Sequence, residues 1–166
     1  MPGRQHAVLA LMAFLALCFA VAGIGSLFST PAVRSAWFSE LAKPAWNPPN
    51  WLFGPVWTLL YILMAIAAWL VWRERGWAGA ALPLSVFFIQ LAINLAWSLI
   101  FFGAHRIGLA FADIVLLWLA ILTTILLFWR ISPLAGGLLL PYLLWVSFAG
   151  ALNFAIWQMN QGSLTV

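Results

Sequence analysis

Apolar residues run along this chain in five long blocks separated by short polar breaks. Runs over residues 7–28, 51–72, 81–102, 108–129 and 133–159 each supply the roughly 20 apolar residues that a helix needs to cross a hydrocarbon core. The breaks carry the charge. Arg73-Glu74-Arg75-Gly76, His105-Arg106 and Arg130 follow the second, third and fourth runs, where charged side chains reach water. The pattern predicts an all-α membrane protein, a single domain over residues 1–166 built as a bundle of five transmembrane helices. The first run follows Arg4 and His6 but is longer than a signal-peptide core, so it reads as a retained helix. Short connections predict that sequential helices pack as neighbours.

Between Ser29 and Asn50 lies the longest polar stretch. There Trp37, Phe38, Leu41 and Trp46 alternate with Arg34, Ser39, Glu40 and Lys43, which predicts a short amphipathic helix at headgroup level, stopped by Pro44 and then Pro48-Pro49. Ala16, Ala20 and Gly23 place small residues along one side of the first span, suited to close helix packing in lipid. Five spans set the termini on opposite sides. Arg4, Arg73, Arg75 and Arg130 then share one side against Arg34, Lys43 and Arg106, an excess that favours a cytoplasmic N-terminus.

Composition agrees with the pattern: 66% of residues are hydrophobic, 6% are charged and the mean hydropathy is +1.09. A soluble domain carries about 25% charged residues. The net charge of +4 is spread over span ends instead of gathered on a face, so a nucleic-acid partner is not expected. A lone Cys18 excludes an intramolecular disulfide. His6 and His105 are isolated from other ligand types, so no metal site is expected, and no nucleophile–base pair or phosphate-binding glycine loop is present.

Polar residues inside spans are costly in lipid and are either functional or interhelical ties. Gln90, Asn94, Trp97 and Phe101 share one helix face, and two readings stand for it: a ligand-cavity lining or hydrogen bonds between helices. Trp57, Tyr61 and Met64 form a second stripe and Tyr142, Trp145, Ala149 and Leu152 a third, and by pattern alone both read as packing surface in preference to pocket. Of the twelve tryptophans, Trp46, Trp51, Trp72, Trp77 and Trp129 fall at span edges as an interfacial belt, whereas Trp57, Trp97, Trp118 and Trp145 lie deeper. Asp113 sits near the start of the fourth span, where two readings stand: an intramembrane proton relay, or, as preferred, an acid favoured by the helix N-terminus.

The segment from Trp37 through Lys43-Pro44-Ala45-Trp46-Asn47-Pro48-Pro49, followed by Gly54-Pro55-Val56-Trp57-Thr58-Leu59-Leu60-Tyr61, closely resembles the first loop and second helix of the TspO/MBR family, the tryptophan-rich sensory and translocator proteins. Gln90 to Trp97, Phe101-Phe102-Gly103-Ala104, Asp113, Pro141 to Trp145 and Phe148 to Asn153 extend the resemblance in order over essentially the whole chain.

The resemblance implies a five-helix bundle, usually a homodimer, with a hydrophobic cavity beneath the first loop that takes protoporphyrin IX, haem and benzodiazepine-site drugs. Porphyrin or haem would be a ligand, and no cofactor is implied. Trp57, Asn94, Trp97, Trp145, Ala149 and Leu152 carry over as pocket residues, with Tyr61 beside them, and Phe38, Trp46 and Pro48 as the lid. Arg34 or Lys43 is expected to meet the propionates, since unpaired buried carboxylates are costly. Ala16, Ala20, Ala92 and Ala96 echo the dimer only as small residues on two spans.

This chain departs from mitochondrial members of the family where Phe154 and Gln158 replace the Tyr and basic residue of their cholesterol motif, and from some members where Leu109 replaces a Trp. Sterol binding is therefore not carried over, one cavity wall is expected to be less aromatic, and a bacterial membrane is the expected host. Three functions follow: a tetrapyrrole receptor or sensor regulating porphyrin level, a porphyrin transporter, or a light- and oxygen-dependent porphyrin-degrading enzyme using Trp57 and Trp145. No inverted repeat of the secondary-transporter kind is present.

Overall fold

Each of the five apolar runs is helical in the computed structural model, which describes residues 4–161, and five helical stretches are long and apolar enough to cross a membrane. The protein is an all-α, multi-pass membrane protein. Helix α1 spans Arg4–Val33 and runs through Ser29, Thr30 and Pro31 beyond the predicted boundary. It ends in tight turns, with Arg34 N–H donating to Pro31 O at 3.2 Å and Ser35 N–H to Ala32 O at 3.0 Å. The predicted amphipathic piece is α2, Ala36–Glu40, whose Ser35 cap accepts from Phe38 N–H at 3.4 Å.

After a proline-rich extended stretch and one 3-10 turn, Asn50–Leu52, comes α3, Phe53–Gly79. It continues past the predicted end at Trp72 and breaks at Gly76, where φ is +64°, a conformation that glycine adopts without a side-chain penalty. Helix α4, Ala81–Ser98, passes into a π-turn, Leu99–Gly103, and α5 covers Ile107–Trp129.

The last run, expected as one helix, is two: α6, Pro133–Leu138, and α7, Leu140–Met159. Pro141 has no N–H to give to the preceding turn, so the ladder breaks just before it. Gly136 lets α6 lie on Trp129; a Cβ there would meet the ring at 2.7 Å.

Consecutive spans pack as neighbours in α1–α3, α4–α5 and α5–α7, and the exception is the pair α3–α4. Helix α1 packs against both α3 and α4, so α3 and α4 meet only weakly although a short turn joins them. The ring closes through α4–α5, α5–α7 and α5–α6, with α6 resting on α3.

Close approach in this half of the bundle is made by small or flexible side chains: Ala65, Ala67, Ala68, Met64 and Val71 of α3 and Cys18 of α1 are fully buried. Without a hydrophobic drive between helices in lipid, such fitted packing and tertiary hydrogen bonds hold the bundle. Trp69 Nε1–H donates to Ala7 O at 2.7 Å, tying α3 to the first turn of α1. Trp72 is not part of a belt: it is buried beside Trp77 at 6.1 Å, because α3 continues past it. Trp46, Trp51, Trp77 and Trp129 are exposed.

Candidate functional site

Toward the first loop the bundle opens around a cavity of about 720 Å³, well within the roughly 300–1,000 Å³ of small-molecule sites. Its walls come from all five spans. Helix α1 contributes Phe19, Ala22, Gly23, Ser26, Ser29, Thr30 and Val33, a run at helical spacing. The start of α3 contributes Phe53, Gly54, Trp57, Thr58 and Tyr61; α4 contributes Asn94, Trp97 and Ser98; α5 contributes Ile114 and Leu117; α7 contributes Trp145, Val146 and Ala149. Arg34, Phe38 of α2, Asn50, Trp51 and Phe102 of the π-turn complete it. Here large rings span from α3 to α7, with Phe53 to Trp145 at 5.7 Å and Trp57 to Tyr142 at 6.1 Å, both edge-on.

The floor is a buried polar chain. Tyr61 Oη–H donates to Asn94 Oδ1 at 3.1 Å, Asn94 Nδ2–H donates to the Tyr142 oxygen at 2.6 Å, and Tyr142 Oη–H donates to Gln90 Oε1 at 3.0 Å. Gln90 Nε2 reaches the Met64 sulfur at 3.8 Å. The two readings of the third-span stripe therefore divide by residue: Gln90 ties helices together away from the cavity, while Asn94 both ties helices and reaches the wall. Trp97 is held likewise, its indole N–H donating to Asn153 Oδ1 at 2.9 Å, while Asn153 Nδ2–H donates to Ile107 O at 3.0 Å. Trp97 stacks on Phe101 at 5.1 Å, just where the helix widens into the π-turn.

The first loop is seated by several independent contacts. Leu41 enters a second apolar cluster with Phe101, Ile107, Ala110, Leu152 and Ile156. Asn160, after the end of α7, clasps the Ala42 backbone from both sides: Ala42 N–H donates to its Oδ1 at 3.0 Å, and its Nδ2–H donates to Ala42 O at 2.9 Å. Trp37 lies flat on His105 at 3.9 Å between centroids, with His105 itself at φ +56°. Lys43 folds back on α2, donating to the carbonyls of Phe38 and Leu41 with its ammonium 4.4 Å from the Phe38 ring centre, and this partial burial lowers its pKa.

Of the residues expected from sequence, Phe38, Trp57, Tyr61, Asn94, Trp97, Trp145 and Ala149 line the cavity. Trp46, Pro48 and Leu152 stand outside its lining. Trp46 meets Phe148 edge-on at 5.8 Å, Pro48 O accepts from Asn47 Nδ2–H at 3.0 Å, and Leu152 helps to seat Leu41. Gly23 faces the open cavity with nothing within 4 Å, whereas the near neighbour on α1 is Gly25, whose added Cβ would lie 3.3 Å from Ser98. Leu109 is exposed and off the cavity wall, so its departure from the family pattern does not thin that wall.

Trp118 is explained by its N–H bond to Ser147 Oγ at 2.8 Å. Asp113 lies beyond the free N–H groups of the first turn of α5, and its enclosed Oδ2 accepts no hydrogen bond, so helix capping does not account for it. Sequence reasoning missed the hydroxyl strip of α1 and the structural roles of Asn153 and Asn160. The available signal was their spacing, since both amides fall on one side of the last helix seven residues apart.

The TspO/MBR family profile matches residues 14–158. The chain is 48% identical over 155 residues to the tryptophan-rich protein TspO of Chlorobaculum tepidum, covering 92% of this chain and 97% of that protein. It is 42% identical over 153 residues to protein CrtK of Rhodobacter capsulatus, covering 90% and 91%. It is 44% identical over 128 residues to the human translocator protein, covering 76% of each.

Proposed function

Because the chain belongs to the TspO/MBR family, we propose that it is a membrane receptor that takes tetrapyrroles such as protoporphyrin IX and haem into the lid-side cavity and thereby senses and regulates porphyrin level. The same cavity would accept the flat, apolar drugs of the benzodiazepine site. The observation that supports this most is the placing of three indoles, Trp57, Trp97 and Trp145, from three different helices around one space of about 720 Å³. A porphyrin macrocycle is flat and apolar, so it gains from broad aromatic surfaces. The wall is preformed because its polar members satisfy one another before any ligand arrives.

The test is quenching of tryptophan fluorescence by protoporphyrin IX in the detergent-purified protein, in darkness. Saturable quenching, weakened several-fold in Trp145→Phe, supports the receptor reading; its absence in the wild type overturns it.

A second reading, light- and oxygen-dependent degradation of the bound porphyrin, draws support from one feature. The indole N–H groups of Trp57 and Trp145 have no hydrogen-bond partner among the described residues, and both rings face the cavity. The chemistry would be largely the porphyrin's, with the protein supplying position and electron-rich rings. Illumination of the complex should then yield a new pigment in the wild type, and none in the Trp57→Phe, Trp145→Phe double variant that still binds.

A further inference from the structure

We propose that Arg34, with Ser29 and Thr30 beside it, forms an anion subsite at the mouth of the cavity that takes the carboxylate edge of a flat apolar ligand. This rests on the tetrapyrrole reading and adds to it an orientation: carboxylates at the α1 end, macrocycle among the indoles.

The case starts from charge. Among the described residues, Arg34 is the only ionisable side chain in the cavity wall apart from the Tyr61 phenol, and its guanidinium makes no hydrogen bond or ion pair with any of them. Lys43, the other cation of the first loop, is excluded by geometry: it lies off the wall, engaged with the carbonyls of Phe38 and Leu41 and with the Phe38 ring. Among the described residues no acid lines the cavity to compete for Arg34.

Position follows from α1. Thr30 and Arg34 are four residues apart and Ser29 lies beside them, so the three share the cavity-facing side at the C-terminal end of the helix. The hydroxyls of Ser29 and Thr30 make no hydrogen bond to any described residue, unlike Ser26, whose hydroxyl donates to Gly23 O at 2.7 Å. One end of the cavity thus offers a fork of guanidinium donors and two hydroxyls, while the other end presents aromatic rings and amides already bonded to phenols. A ligand complementary to both ends is flat and apolar with an anionic edge, because a guanidinium binds carboxylate in a bidentate, charge-assisted way.

The experiment compares protoporphyrin IX with its dimethyl ester by fluorescence quenching of the full chain in zwitterionic nanodiscs, for the wild type, Arg34→Gln and Arg34→Lys. The wild type should bind the free acid at least about tenfold more tightly than the ester, as expected for loss of a charge-assisted bond. Arg34→Gln should bind both alike, at the wild-type ester affinity, and Arg34→Lys should keep part of the preference.

Equal binding of acid and ester by the wild type, or equal weakening of both by Arg34→Gln, overturns the subsite while leaving the porphyrin cavity standing. Saturable binding of neither compound overturns the tetrapyrrole reading, and the subsite with it. Loss of the acid preference on changing to anionic-lipid nanodiscs would assign Arg34 to a lipid phosphate instead and overturn the proposal.

Discussion

At the scale of single residues, amides do much of the work that charges do in soluble proteins. Asn94 joins α3 to α7 through two phenols, so removing it leaves the buried Tyr61 hydroxyl without its acceptor. An orphaned buried donor costs about 1–3 kcal/mol. Asn94→Leu should therefore lower the thermal midpoint in detergent clearly, and adding Tyr61→Phe should recover part of the loss. Additive effects of the two changes would show that the hydroxyl is not stranded.

Asn160 acts on the lid rather than on the core. Its amide holds the Ala42 backbone. Asn160→Leu should speed proteolytic cleavage of the first loop severalfold while shifting the midpoint little; an unchanged cleavage rate would mean that Leu41 and Trp37 seat the loop unaided. These amides were visible in the sequence as polar residues, but their tertiary partners were not, because the bonds from Tyr61 to Asn94 and from Ala42 to Asn160 join residues 33 and 118 positions apart.

At the scale of elements, the π-turn Leu99–Gly103 and the left-handed His105 together swing the chain from α4 into α5 and present rings to both lid and cavity. Non-glycine residues at positive φ carry a backbone cost, which the Trp37 stack on His105 offsets. His105→Ala keeps the cost and loses the ring, whereas His105→Gly loses both. The alanine variant should therefore be the less stable by about 1 kcal/mol in denaturant or thermal unfolding; equal stability of the two would remove backbone strain from the account. Helix periods were readable because apolar runs this long have no alternative in lipid. The π-turn and the break at Leu139 were not, since a one-residue change of winding leaves hydropathy untouched.

At the scale of the whole molecule, the bundle is tight at one end and open at the other. Alanines and Met64 let helices close where α1, α3 and α4 meet, while Phe53, Trp57 and Trp145 span the gap between α3 and α7 beneath the loop. The opening is thus a property of side-chain size and not of missing contacts. Filling it should leave the fold intact: Ala149→Phe, aimed into the cavity wall, should weaken porphyrin quenching by more than about tenfold, as loss of a preformed space implies, with an unchanged or higher thermal midpoint. A fall in both would indicate overpacking instead.

The sequence by itself determined that this chain spans a membrane five times, carries a short amphipathic helix after the first span and presents aromatic stripes on the second, third and fifth. Those properties follow from local spacing and from the cost of exposing backbone to lipid, which neighbours cannot change. Only the tertiary structure decided which faces meet. It placed α1 between α3 and α4, turned Gln90 away from the cavity, set Trp46, Pro48 and Leu152 off its wall, and left Arg34 in the wall while Lys43 folded onto α2. Those outcomes depend on packing between distant segments, where the size of one ring or the reach of one amide selects among arrangements that share the same hydropathy pattern.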